Sequence, residues 1–87
     1  MYSILYSPAA QKDIQKLPID VAKNVVNSIK EIRDNPKVHV KKLKGSPKSP
    51  LYSLRVGEYR IIMSIEGDKL IIFVIEVGHR SKIYRKY

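Results

Sequence analysis

The chain has 87 residues, enough for one small domain over 1–87 with a thin core, since a domain of this size buries only about 60–65% of its extended-chain surface. It has no cysteine, which excludes disulfides and thiolate metal sites, and no apolar run approaches the roughly 20 residues of a membrane span. Lys and Arg total 17 against 8 acidic residues, a formal charge of +9, which points to a polyanionic partner, most often nucleic acid, with a plain basic protein as the alternative. At 44% hydrophobic the chain is rich enough to fold. Its first residues, MYSILYSPAA, carry no basic stretch ahead of the short apolar run, so no signal peptide is expected, and the lack of cysteine suits a reducing cytoplasm.

Residues 1–6 carry strand formers and read as a first strand. Ser7-Pro8 then marks a helix start, a serine N-cap with proline at the first helical position. This helix runs to about Leu17, with Ala10, Ile14 and Leu17 on one side. Pro18 opens a second helix to about Asp34, in which Ala22, Val25, Val26, Ile29 and Ile32 recur at helical spacing. Asn35-Pro36 ends it, because the residue before proline avoids the α region. Residues 36–50 hold three prolines, one glycine and five lysines and read as a loop, with a brief extended piece near residues 38–43.

Two hairpins follow. The first pairs 51–56 with 59–65 across Gly57-Glu58, so Val56 faces Tyr59 and Arg55 faces Arg60. The second turns at Gly67-Asp68, sets Glu66 opposite Lys69, and continues as strand 70–77. Alternation puts Tyr52, Leu54, Val56, Tyr59, Ile61, Met63, Ile72 and Val74 on one apolar face. Leu51, Ser53, Arg55, Arg60, Ile62, Ser64, Phe73 and Ile75 fall on the other. Strand 70–77 is apolar on both sides, which predicts a central position. The expected fold is α+β: an N-terminal strand and a helical hairpin packed on one face of a mainly antiparallel four-stranded sheet.

Two arginines directly opposite one another repel. A phosphate held between Arg55 and Arg60, beside a floor of Phe73 and Ile75, turns that repulsion into charge-assisted hydrogen bonding. Splaying into solvent, or screening by Glu58 or Glu76, resolves it equally well. The segment after the last strand, VGHRSKIYRKY, starts where strand pairing brings Arg80 near Arg60. Tyr84 offers a stacking ring or a phenol proton, and Lys82, Arg85 and Lys86 add charge; a frayed basic terminus is the alternative. His79 is the candidate proton acceptor, although nearby arginines disfavour its imidazolium. Lys41, Lys42, Lys44 and Lys48 either track a nucleic-acid backbone or line an ordinary solvated loop. HExxH, Walker-type and GxSxG motifs are absent and the acids do not cluster, so no metal or cofactor is expected.

The phrases KKLKGSP, LYSLRVGEYRIIMSI and IIFVIEVGHRSKIYRKY, in this order of elements, resemble the RelE family of toxins within the RelE/ParE superfamily. The resemblance covers nearly the whole chain and is most specific from Lys42 to Tyr84. It implies a cytoplasmic type II toxin, an mRNA interferase that cleaves mRNA in the ribosomal A site without a metal. In that chemistry a 2′-hydroxyl attacks the adjacent phosphate, leaving a 2′,3′-cyclic phosphate and a 5′-hydroxyl. The implied partners are a RelB-like antitoxin, in a hetero-oligomer, and the ribosome carrying A-site mRNA. Carried over by position, Arg60 and Arg80 match arginines at the reacting phosphate, and Tyr84 matches a C-terminal tyrosine that orients the nucleotide. Arg55 stands where some members have lysine. Ser53 stands where those members have another lysine, one linked to proton acceptance, which leaves the general base open between His79, Arg55 and a ribosomal RNA group. Two other readings of the chain are a ParE-like toxin that inhibits DNA gyrase without cutting RNA, and a non-catalytic RNA- or ribosome-binding module.

Overall fold

A computed structural model describes residues 1–43, 50–83 and 85–87. The elements follow in the order β1 (Ser3–Tyr6), α1 (Pro8–Gln15), α2 (Ile19–Glu31), a 3-10 turn (Pro36–Val38), β2 (Lys41–Lys42), β3 (Tyr52–Val56), β4 (Tyr59–Glu66), β5 (Ile71–His79) and α3 (Arg80–Ile83). The sheet has five strands in the order β1-β5-β4-β3-β2, one more than expected, because the extended piece before the first hairpin pairs with β3 as a two-residue edge strand. β5 is interior, with β1 parallel on one side and β4 antiparallel on the other.

The first helix begins as the sequence dictates. Ser7 Oγ accepts the Ala10 N–H at 3.0 Å, and Pro8 occupies the first turn, where its missing N–H has no cost. The same hydroxyl donates to the Ile75 carbonyl at 2.6 Å, so one side chain both caps α1 and ties it to β5. Ser7→Ala removes both bonds and is expected to cost about 1–2 kcal/mol, read as a lower urea midpoint with unchanged slope. The second helix ends at Glu31, three residues before the expected Asp34, as Ile32 N–H donates to the Ile29 carbonyl at 3.3 Å in a tightened last turn. Val25, Ile29 and Ile32 of its stripe are buried. They pack with Ala10 against Leu54, Ile61, Met63, Ile65, Ile72, Val74 and Val77, which form the core between helices and sheet.

The first hairpin has the expected register: Val56 faces Tyr59 and Arg55 faces Arg60. Gly57, at φ 58°, supplies the left-handed residue that a tight hairpin turn needs first. The second hairpin differs. Its loop spans residues 67–70, Leu70 takes φ 54°, and Glu66 lies opposite Ile71 rather than Lys69. Lys69 reaches Glu66 only as an exposed ion pair at 3.8 Å. The pairing is displaced by two residues, and two is the side-chain period, so Ile72 and Val74 still face the helices.

A β-bulge then changes the parity. Met63 pairs with Val74 and Ile62 with Glu76, leaving Ile75 as the extra residue. Beyond it Val77 turns into the core and Glu76 turns to the opposite face, where unbroken alternation would have exchanged them. Asp13 on α1 accepts the Val77 N–H at 3.1 Å and secures this stretch from the helix side.

Candidate nucleic-acid interface

The face opposite the helices is not bare at the Arg60 end. α3 folds back across it, burying Ile83 against the sheet, and Ile62 beneath is fully buried. Gly78 permits this close approach: a Cβ there would meet Ile83 side-chain carbons at 3.0 Å. Gly78→Ala therefore pushes on α3 and is expected to cost about 1–2 kcal/mol, checked by urea unfolding.

Between α3, β2 and the sheet lies a hollow of about 280 Å³, walled by Lys41, Lys42, Leu43, Ser53, Arg60, Ile62, Ile83 and Tyr87. Its apolar floor is Ile62, Leu43 and Ile83, in place of the expected Phe73 and Ile75. Those two lie further along β5, with Phe73 38% exposed. The correction follows from the fold-back of α3, which no strand periodicity encodes. Arg60 is half-buried, and its Nη1 donates to Ser53 Oγ at 3.3 Å, a hydroxyl on a residue only 4% exposed.

The facing arginines avoid repulsion by diverging. Arg55 is exposed and its Nε donates to the Gly57 carbonyl at 3.3 Å, while Arg60 turns into the hollow. The row of paired positions runs Arg55, Arg60, Gly78 across β3, β4 and β5, and ends two residues before Arg80. Glu58 screens Arg80 rather than the facing pair: Nε lies 3.0 Å from its Oε2, and the Arg80 N–H donates to its carbonyl at 2.9 Å. Both side chains are about half exposed (49% and 59%), so the ion pair is weak and open to exchange for another anion.

Glu76 anchors the end of the chain. Its carboxylate accepts Lys86 Nζ at 2.8 Å and the Tyr87 hydroxyl at 3.1 Å. The hydrogen bond to Glu76 raises the Lys86 pKa, and burial, then the bond to Glu76, raises that of Tyr87. Because the folded Lys86 pKa is raised, the pair's contribution is fully present at neutral pH and is lost as pH rises through that folded value.

His79 takes a different position from the one expected. It pairs with Tyr59, on the helix side of the sheet, and meets that ring edge-on at 5.6 Å between centroids. Its Nδ1 accepts the Ser81 N–H at 3.2 Å and lies 2.9 Å from Ser81 Oγ. It lines a second hollow with Asp13, Lys16, Glu76 and Lys82, not the one that holds Arg60. Lys42 and Arg85 are exposed, Lys42 at the rim of the Arg60 hollow. Tyr84, Lys44 and Lys48 lie outside the described residues. Sequence reasoning missed Leu43, Ile83 and Tyr87 as walls of the hollow, since their meeting depends on chain reversals that leave no local pattern. Among the described residues no group of three or more His, Asp or Glu side chains is placed to hold a metal ion.

The chain is thus a small basic α+β domain with an arginine turned into a hollow between α3, β2 and the sheet. Residues 4–84 match the family described as the ParE toxin of type II toxin–antitoxin system, parDE, and the chain belongs to that family. It is 29% identical over 85 residues to the mRNA interferase toxin RelE of Escherichia coli K12, spanning 95% of this chain and 90% of that protein. Among solved structures it is similar to the isolated E. coli RelE toxin (TM-score 0.78, 27% identity, 99% of this chain and 94% of the other). It is also similar to a chain of the toxin–antitoxin complex RelBE2 from Mycobacterium tuberculosis (TM-score 0.79, 25% identity, 91% and 98%).

Proposed function

We propose that this chain is a toxin that cuts mRNA in the ribosomal A site and is held in check by a RelB-like antitoxin. The observation that carries this reading is Arg60, a guanidinium fixed by Ser53 above an apolar floor and facing a hollow with lysines on its rim. Similarity to a relative named as an mRNA interferase supports the substrate. Similarity to a chain solved in a toxin–antitoxin complex supports the partner.

The chemistry needs little more than placed positive charge. The 2′-hydroxyl passes its proton to water as its oxygen bonds to phosphorus, the P–O5′ bond breaks, and the 5′-oxygen takes a proton from water. The products are a 2′,3′-cyclic phosphate and a 5′-hydroxyl, so atoms and charge balance without a further reactant. The pentavalent intermediate carries more negative charge than the diester, so a fixed guanidinium stabilises the transition state beyond the ground state. Arg60 fills that role, Arg55 and Arg80 approach the same end of the sheet from its exposed rim, and Tyr84 is assigned to the nucleotide. Lys42, Lys44, Lys48, Lys82 and Arg85 hold the RNA backbone by charge. Both substrate and ribosome place the activity in the cytoplasm; no helix among the described residues is long and apolar enough to cross a membrane.

An antitoxin suits the remaining surface. β1 is an edge strand, and on its outer face Leu5 (51% exposed) lies directly beside Phe73 (38%). Apolar edges of this kind need covering. The test of function is primer extension on cellular mRNA after induction of the toxin alone: discrete new 5′ ends inside translated codons are expected. Arrested translation with intact mRNA would make the chain a ribosome-binding module. DNA damage with intact mRNA would make it a gyrase inhibitor, in line with the ParE name of its family.

A further inference from the structure

Given RNA cleavage at the Arg60 hollow, the wall formed by β2 bears on the same site. β2 is only Lys41–Lys42, yet its register is specific: Lys41 pairs with Ser53 and Lys42 with Tyr52. Directly paired residues project to the same face. Tyr52 packs against the core on the helix side, whereas Lys41 shares the opposite face with buried Ser53. Ser53 Oγ is in turn bonded to Arg60 Nη1. Across this face Ser53 therefore has a lysine on the strand to one side and an arginine on the strand to the other. All three line the hollow of about 280 Å³.

We propose that Lys41 is a catalytic residue, its ammonium contacting the scissile phosphate from the β2 side while Arg60 contacts it from the β4 side. Two cations on opposite walls, with the Ser53 hydroxyl between them, form a cradle matched to a phosphodiester whose non-bridging oxygens point both ways. Lys41 is exposed, so its side chain is open to the phosphate when RNA enters. Its charge is unchanged through the reaction: it moves no proton, and stabilises the negative charge that grows on the phosphorane oxygens.

Single-turnover cleavage of mRNA on programmed ribosomes is measured for wild type, Lys41→Met and Lys41→Arg. Lys30→Met on the exposed surface of α2 controls for the loss of one charge. The expected result is a fall of about tenfold to a hundredfold for Lys41→Met, with most of the rate kept in Lys41→Arg. Melting temperatures of Lys41→Met and wild type should agree, because the residue is exposed. A Lys41→Met rate equal to wild type, or to Lys30→Met, overturns the proposal while leaving RNA cleavage intact. Absence of cleavage by wild type itself would instead remove the functional reading on which it rests.

Discussion

Arg60→Ala is expected to lower the rate of mRNA cleavage by about 10²–10³ while the domain stays folded. The side chain is half-buried at the wall of the hollow, and its Nη1 meets the Ser53 hydroxyl at 3.3 Å. Truncation leaves that hydroxyl free to rotate toward solvent entering the vacated space, a stability change of about 1 kcal/mol. The floor of Ile62, Leu43 and Ile83 does not depend on the guanidinium. Arg60→Lys keeps the charge but loses the planar fork, so an intermediate rate is expected. Single-turnover cleavage on ribosomes, beside thermal melting followed by circular dichroism, separates the two effects. Full activity in a folded Arg60→Ala protein would remove the phosphate-gripping role from this residue.

The largest effect on stability is expected from Ile61→Ala. Ile61 is fully buried on β4, pairs with Leu54 on one side and Val77 on the other, and faces the helices. Its truncation removes transfer free energy and leaves a cavity that strands held on both sides cannot close, a cost of about 2–5 kcal/mol. A domain of this length has only about 4–13 kcal/mol in total, so the melting temperature should fall by about 10 °C or more. Phe73→Ala is the comparison. Phe73 is the larger side chain, but it stands 38% exposed on the opposite face, so its loss should cost clearly less. If Phe73→Ala were the more damaging in urea unfolding, the core would have been assigned to the wrong face.

The sequence by itself determined what local periodicity and local turn chemistry encode. Ser7-Pro8 placed the start of α1, the stripe through Val25, Ile29 and Ile32 placed the buried side of α2, and Gly57 set the first hairpin in the register observed. The two faces of the sheet survived even the misplaced second turn, because a shift of two residues is invisible to a period of two. Residue types in VGHRSKIY and LRVGEYRI marked the two arginine-bearing segments, but not how their side chains would be partnered. Only the tertiary structure decided that Arg55 and Arg60 diverge, that His79 lies on the helix side, that Ile75 bulges so Glu76 can anchor Lys86 and Tyr87, and that α3 closes over Ile62. It also paired Lys41 with Ser53, a register that the sequence between them does not carry. Each of these depends on contacts between segments remote in sequence. Their free energy comes from burial and packing against partners that no stretch of chain carries within itself, so they exist only once the whole domain has closed.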